Sequence, residues 1–182
     1  MNKEEVILLK EKLARVYKHV EKNYEQGKVL ITGSCALVLI IDRFSDDKLN
    51  HLDYPNDIDF IVENKYLTID CKVIDKYYRE QELDEKSCTF IHRMDPNEKI
   101  DLIATRKIGD FITIDGLNIV TPQRLRICYQ PDILNLENRS EKDLNKFNVI
   151  SDIVESLKLV DESPKKKIKR GLFSDDENDM NS

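Results

Sequence analysis

The chain has no tryptophan, three histidines, and only five glycines and five prolines among 182 residues. So few glycines and prolines exclude a loop-dominated or fibrous fold, because tight turns and irregular backbone draw on those residues. The four cysteines, Cys35, Cys71, Cys88 and Cys128, are widely separated, so neither a zinc ribbon nor a CxxC redox pair is written in them. They read as buried free thiols of a reducing compartment. His19, His51 and His92 show no ligand spacing and read as structural or surface residues. The most apolar window, CALVLII at 35–41, is far too short to span a bilayer. MNKEEVILLKEKL at the start lacks the apolar segment of a signal peptide. The expectation is an intracellular protein, cytoplasmic or nuclear, not secreted and without a membrane partner.

Basic excess is missing too. The net charge is −6, so the whole molecule is not an electrostatic nucleic-acid binder, and any basic partner surface must be local. What is present is 40% hydrophobic and 35% charged residues, enough for one packed core under a charged surface.

The pattern predicts an α+β fold: a mixed β-sheet flanked by helices, a short C-terminal helical segment and a disordered charged tail. Val6, Leu9, Leu13, Val16, Tyr17, Val20 and Tyr24 make one stripe of an N-terminal helix over 2–26, with Gly27 as its stop. KVLIT (28–32) reads as a buried strand running through Gly33-Ser34 into an apolar helix that Ser34 can cap. SDDKLNHLDYPN (45–56) reads as a polar loop, DIDFIVE (57–63) as a second strand, and 68–81 as a helix on Val73, Ile74, Tyr77 and Tyr78. CTFIHRM (88–94) and KIDLIAT (99–105) form a hairpin around DPNE, and Asp115-Gly116 marks another. Thr121 and Pro122 start a short helix carrying Leu125, Ile127 and Cys128. The last helix carries Leu144, Phe147, Ile150, Ile153, Val154 and Leu157. These elements give one domain over 1–160, with the catalytic sheet at 28–120, helices at 121–160 and the tail at 161–182.

Asp57 and Asp59 flank Ile58 in a strand, so they share one face while Ile58 and Phe60 point to the core. Two carboxylates that close repel unless a cation lies between them. Oxygen-only ligation suits a hard cation, magnesium or manganese. A DxD is also a common accident of a solvated sheet face, so its neighbours decide. Gly33-Ser34 places a close backbone approach and free N–H groups at a helix start, where phosphate binds. Asp101 puts a third carboxylate between Ile100 and Leu102 of another strand.

The ordered set, Gly33-Ser34, a helix, Asp57-Ile58-Asp59-Phe60, then Asp101, resembles the nucleotidyltransferase superfamily that includes DNA polymerase β and the CCA-adding enzymes. NRSEKDLNKFNVISDI, with Arg139, Lys142 and Asp143, looks like the segment after the third carboxylate in AbiEii-like toxins and related minimal transferases. The resemblance covers roughly residues 28–155. It implies transfer of a nucleoside monophosphate from a nucleoside triphosphate such as ATP to a hydroxyl of RNA, protein or a small molecule. Asp57 and Asp59 would bridge two Mg2+ or Mn2+ ions, Asp101 would complete the site near the nucleophile, and Gly33, Ser34 and Lys142 would hold the triphosphate. This chain departs from the family in a longer gap between Ser34 and Asp57, and in Asn56, where serine or threonine is usual. The alternative is a catalytically silent subunit that keeps the fold for binding.

Arg106, Lys107, Arg124 and Arg126 read mainly as a solvated face, though RNA phosphates would fit them. In the tail, PKKKIKR (164–170) reads as a nuclear-import signal or a nucleic-acid arm. Its expected partners are an import receptor or nucleic acid, in a eukaryotic cell or for a virus replicating there. Ser174, ahead of DDE, has the setting of an acid-directed phosphosite.

Overall fold

The computed structural model describes residues 1–24, 28–67, 69, 78–83, 86–130 and 141–161. Helix α1 (Lys3–Glu21) starts from an Asn2 capping box in which the Asn2 side chain accepts from Glu5 N–H and Glu5 reaches back to Asn2 N–H. It buries Val6, Leu9, Leu13, Val16, Tyr17 and Val20. The helix ends at Glu21, earlier than its apolar stripe suggests, where Asn23 and Tyr24 N–H tighten onto the carbonyls of Val20 and Glu21. The proposed stop at Gly27 lies outside the described residues.

Strand β1 (Val29–Thr32) leads directly into α2 (Gly33–Phe44). Every residue from Cys35 to Ile41 is buried, so α2 is a central helix packed all round. Strands β2 (Asp57–Glu63), β3 (Tyr78–Leu83), β4 (Ser87–His92), β5 (Lys99–Thr105), β6 (Phe111–Ile114) and β7 (Leu117–Val120) follow, then α3 (Pro122–Tyr129) and α4 (Glu141–Asp161). One seven-stranded mixed sheet has the order β3-β4-β5-β2-β1-β7-β6. β1 runs antiparallel to β2 and parallel to β7, and β2 runs parallel to β5. This is the expected α+β class with a nucleotidyltransferase-like arrangement of sheet and helices.

Both predicted hairpins form. β4 pairs antiparallel with β5, and β6 with β7. The second turns through Asp115 (φ 51°) and Gly116 (φ 79°), the left-handed pair that a two-residue hairpin requires. Thr121 caps α3 by accepting from Arg124 N–H at 3.3 Å, with Pro122 in the first turn.

Three readings need correction. Tyr78–Gln81, expected at the end of a helix, belongs to strand β3; the Tyr78 hydroxyl donates to Glu98 and its ring meets His92 edge-on at 5.1 Å. Tyr78 fits a helical spacing in sequence but serves the sheet edge, and Thr68 with 70–77 lies outside the described residues. The segment 45–56 is not a plain loop. Asp46–His51 forms a 3-10 helix, and Leu49 and Leu52 are buried. Residues three apart eclipse in that geometry, so both leucines reach the core together. Cys128 is exposed, unlike the buried Cys35 and Cys88, and Cys71 lies outside the described residues. Among the described residues, no helix is long and apolar enough to cross a membrane.

Candidate active site

β2 alternates as its sequence dictates. Ile58, Phe60 and Val62 are buried at 1% exposure or less, and Asp57 and Asp59 project from the other face. Full burial of such side chains contributes about 2 kcal/mol each, which holds the strand rigid under its two carboxylates. β5 repeats the pattern, burying Ile100 and Leu102 and turning Asp101 outward. Asp59 and Asp101 are register partners in the parallel pair, so adjacent strands present them side by side.

The crowding shows in Asp59. Its carboxyl is pushed up to about 6, first by burial and then by the charges of Asp101 and Asp57, with Lys146 opposing. Asp101 is oriented by its own partner across the sheet: Thr89 Oγ1 donates to Asp101 Oδ1 at 2.5 Å. The buried Cys35 thiol donates to the Asp57 carbonyl at 3.3 Å, tying α2 to the first residue of β2.

Gly33 sits opposite Asp59 at φ +62°, and a Cβ there would lie 1.9 Å from Asp59 Oδ2. Glycine is required here twice over, for the left-handed backbone and for the space. Ser34 is not the helix cap. Thr32 holds that position without a side-chain bond, and Ser34 lies inside the first turn. Its hydroxyl accepts from Lys146 Nζ at 3.0 Å and reaches the Tyr129 hydroxyl. Tyr129 itself is pushed up to about 12 by burial.

Lys146 was not legible as a site residue. Its side chain is 15% exposed, contacts Asp143 at 3.7 Å and lies 5.6 Å over the Tyr129 ring. Lys142 lines the same cavity but pairs with Asp53 at 2.9 Å, both of them well exposed. Position 146 is one helical turn beyond 142, on the same face, and that periodicity is the signal that points to it. Arg139 lies outside the described residues.

Ser34, Asp57 and Asp59 border one side of a cavity of about 620 Å3 and Lys142 and Lys146 of α4 another, while Asp101 and Gly33 stand behind Asp59 and are not part of its lining. That volume is ordinary for a small-ligand site. Among the described residues, no three His, Cys, Asp or Glu side chains close into a preformed metal cage. The arrangement is an open cluster of oxygen donors with one carboxylate held near 6 by burial and by its like-charged neighbours. Magnesium is characteristically held this way, by one or two carboxylates with substrate phosphates and water completing the shell. The residues therefore fit a hard cation that arrives with an anionic substrate.

No protein-family model and no curated protein matches this chain. Solved structures do. The Megavirus polyadenylate synthase, a nucleotidyltransferase, superposes with a TM-score of 0.59 at 17% identity, covering 82% of this chain and 32% of the synthase. JHP933 from Helicobacter pylori superposes with a TM-score of 0.51 at 15% identity, covering 86% of this chain and 69% of that one. The chain thus spans about a third of the viral synthase, and at these identities the likeness shows the fold alone.

Proposed function

We propose that this protein is a metal-dependent nucleotidyltransferase that moves a nucleoside monophosphate from a nucleoside triphosphate to a hydroxyl acceptor. The observation that carries the reading is Asp59, crowded by Asp57 and Asp101 with Lys146 only partly offsetting their charge, facing Gly33 across a gap that admits no side chain. A strained cluster of this kind is what a cation-and-phosphate site requires before its ligand arrives. The polyadenylate synthase likeness fits the same chemistry, with ATP as a candidate donor and an RNA end, a protein side chain or a small molecule as acceptor. The subgroup proposed is a small transferase of the AbiEii-like kind, a reading that rests on the sequence resemblance at Arg139, Lys142 and Asp143.

In this reading the acceptor oxygen attacks the α-phosphorus, the bond to the bridging oxygen breaks, and pyrophosphate leaves. Bound magnesium or manganese would lower the hydroxyl's pKa and offset charge on the leaving group. Asp57 and Asp59 would hold such cations. Asp101, oriented at one oxygen by Thr89, would act on the acceptor side and take the hydroxyl proton. Gly33 lets the backbone approach the phosphates, and Ser34 with Lys146 supplies a donor and a charge. The basic block at 164–170 would bring nucleic acid or an import receptor to the enzyme.

Thermal denaturation tests the reading. Manganese together with a nucleoside triphosphate at about a hundred times its Kd should stabilise the protein by about 2.7 kcal/mol, a rise of several degrees. Asp57→Ala should remove that rise. A melting point indifferent to both ligands in the wild type contradicts the proposal.

The two lysines separate in a second measurement. Lys146→Met is expected to weaken triphosphate binding by about 10–100-fold, because a desolvated charge-assisted contact is lost. Lys142→Met, which breaks only an exposed pair with Asp53, is expected to change it less than about threefold. The reverse order would assign the triphosphate to Lys142.

A further inference from the structure

The cavity beside the aspartates has a wall that extends beyond the residues assigned to the transfer chemistry. It consists of residues from 51–56 and the first turns of α4, and the segment 45–56 is tied to that helix at three points. Lys48 Nζ meets Asp152 Oδ2 at 2.6 Å, Lys142 Nζ meets Asp53 Oδ2 at 2.9 Å, and Asn145 Nδ2 donates to the His51 carbonyl at 3.1 Å. Leu49 and Leu52 anchor the segment in the core, and its last residue, Asn56, directly precedes Asp57. Leu49, Leu52 and the covalent link through Asn56 place the wall beside the carboxylates.

The third tether sets the chemistry of the wall. A backbone carbonyl only accepts, so the Asn145 amide must turn its NH2 group toward His51. Asn145 Oδ1 is then an acceptor without a partner among the described residues, on an exposed side chain that borders the cavity. Leu144 beside it, 49% exposed, offers an apolar surface on the same border. A fixed acceptor discriminates among nucleobases. Adenine and cytosine carry an exocyclic amine, a donor, where guanine and uracil carry a carbonyl oxygen. A carbonyl held there would set acceptor against acceptor and leave both unpaired.

We infer that 45–56 and α4 form the nucleobase subsite, and that Asn145 Oδ1 selects triphosphates whose base bears its exocyclic amine at the purine C6 or pyrimidine C4 position. The inference rests on the nucleotidyl-transfer reading and adds the base class to it.

The test compares kcat/KM for ATP, CTP, GTP and UTP, read as ratios, in the wild type, Asn145→Leu and Asn145→Ser. In the wild type, ATP and CTP should lead GTP and UTP by about tenfold or more. Both variants should bring the four within about threefold of one another. The serine variant keeps the test valid where leucine disturbs packing. Four nucleotides used alike by the wild type, a preference for GTP or UTP, or a preference that survives both variants overturns the base subsite while leaving transfer intact. A wild type that neither binds nor transfers any of the four overturns the transfer reading and this inference with it.

Discussion

Asp59→Asn is expected to abolish transfer and, in the same molecule, to stabilise the metal-free protein. Asp59 titrates near 6 in the fold because burial and the charges of Asp101 and Asp57 disfavour its ionised form. A carboxylate with a folded pKa above its unfolded value holds its proton more tightly in the folded state. Its stabilising contribution is complete below the ordinary aspartate pKa of 3.8 and is lost as the pH rises through about 6. At neutral pH the metal-free protein therefore carries a penalty of about 2–3 kcal/mol at this residue. Asparagine keeps the shape and removes the charge. With a chelator at pH 7.5, Asp59→Asn should melt about 5–10 °C above the wild type, and that margin should close toward pH 4. Calorimetry at the two pH values checks it. A variant less stable than the wild type at pH 7.5 would show that Asp59 is already satisfied within the fold and needs no cation.

Gly33→Ala carries the second large effect. A methyl group there would stand 1.9 Å from Asp59 Oδ2 and 2.9 Å from its Cγ, on a backbone at φ +62°. Asp59 must leave its place, and the seat beside Ser34 is filled. Transfer should fall to the detection limit, and manganese binding should weaken with it. Gly116→Ala is the control, since its φ is +79° but nothing lies within 4 Å of the added carbon. That variant should cost about 1–2 kcal/mol of stability through the left-handed backbone alone and retain transfer. Equal losses of activity in the two variants would mean that backbone strain, not the approach to Asp59, makes Gly33 necessary. Titration calorimetry with manganese and the transfer assay distinguish these outcomes.

The parts of the fold legible in the sequence were those governed by local physics. Alternation fixed which faces of 57–63 and 99–105 are buried, Asp115-Gly116 marked its hairpin, and Thr121-Pro122 marked a helix start. Asp57, Asp59 and Asp101 could be selected because carboxylates are out of place in such apolar strands. Their adjacency could not, since the Asp59–Asp101 pairing depends on a parallel register between β2 and β5 that no local pattern specifies. Tyr78 misled because neighbouring aromatics fit a helix face as readily as a sheet edge, and the edge partner Glu98 is distant in sequence. Leu49 and Leu52 were hidden among polar neighbours, although their spacing is that of a 3-10 turn. Lys146 and Asn145 escaped because one lysine or asparagine on a helix looks like any other until Ser34 and the His51 carbonyl are placed beside them.

The central claim is transfer of a nucleotidyl group, and the position of the label in the donor tests it most directly. The full chain is incubated with manganese, a mixture of RNA and protein acceptors, and nucleoside triphosphate labelled at either the α- or the γ-phosphate. The account predicts label in an acceptor from the α-labelled donor only, lost with Asp57→Ala. Label arriving from the γ-position, or from neither position while the folded protein binds the nucleotide, would contradict it.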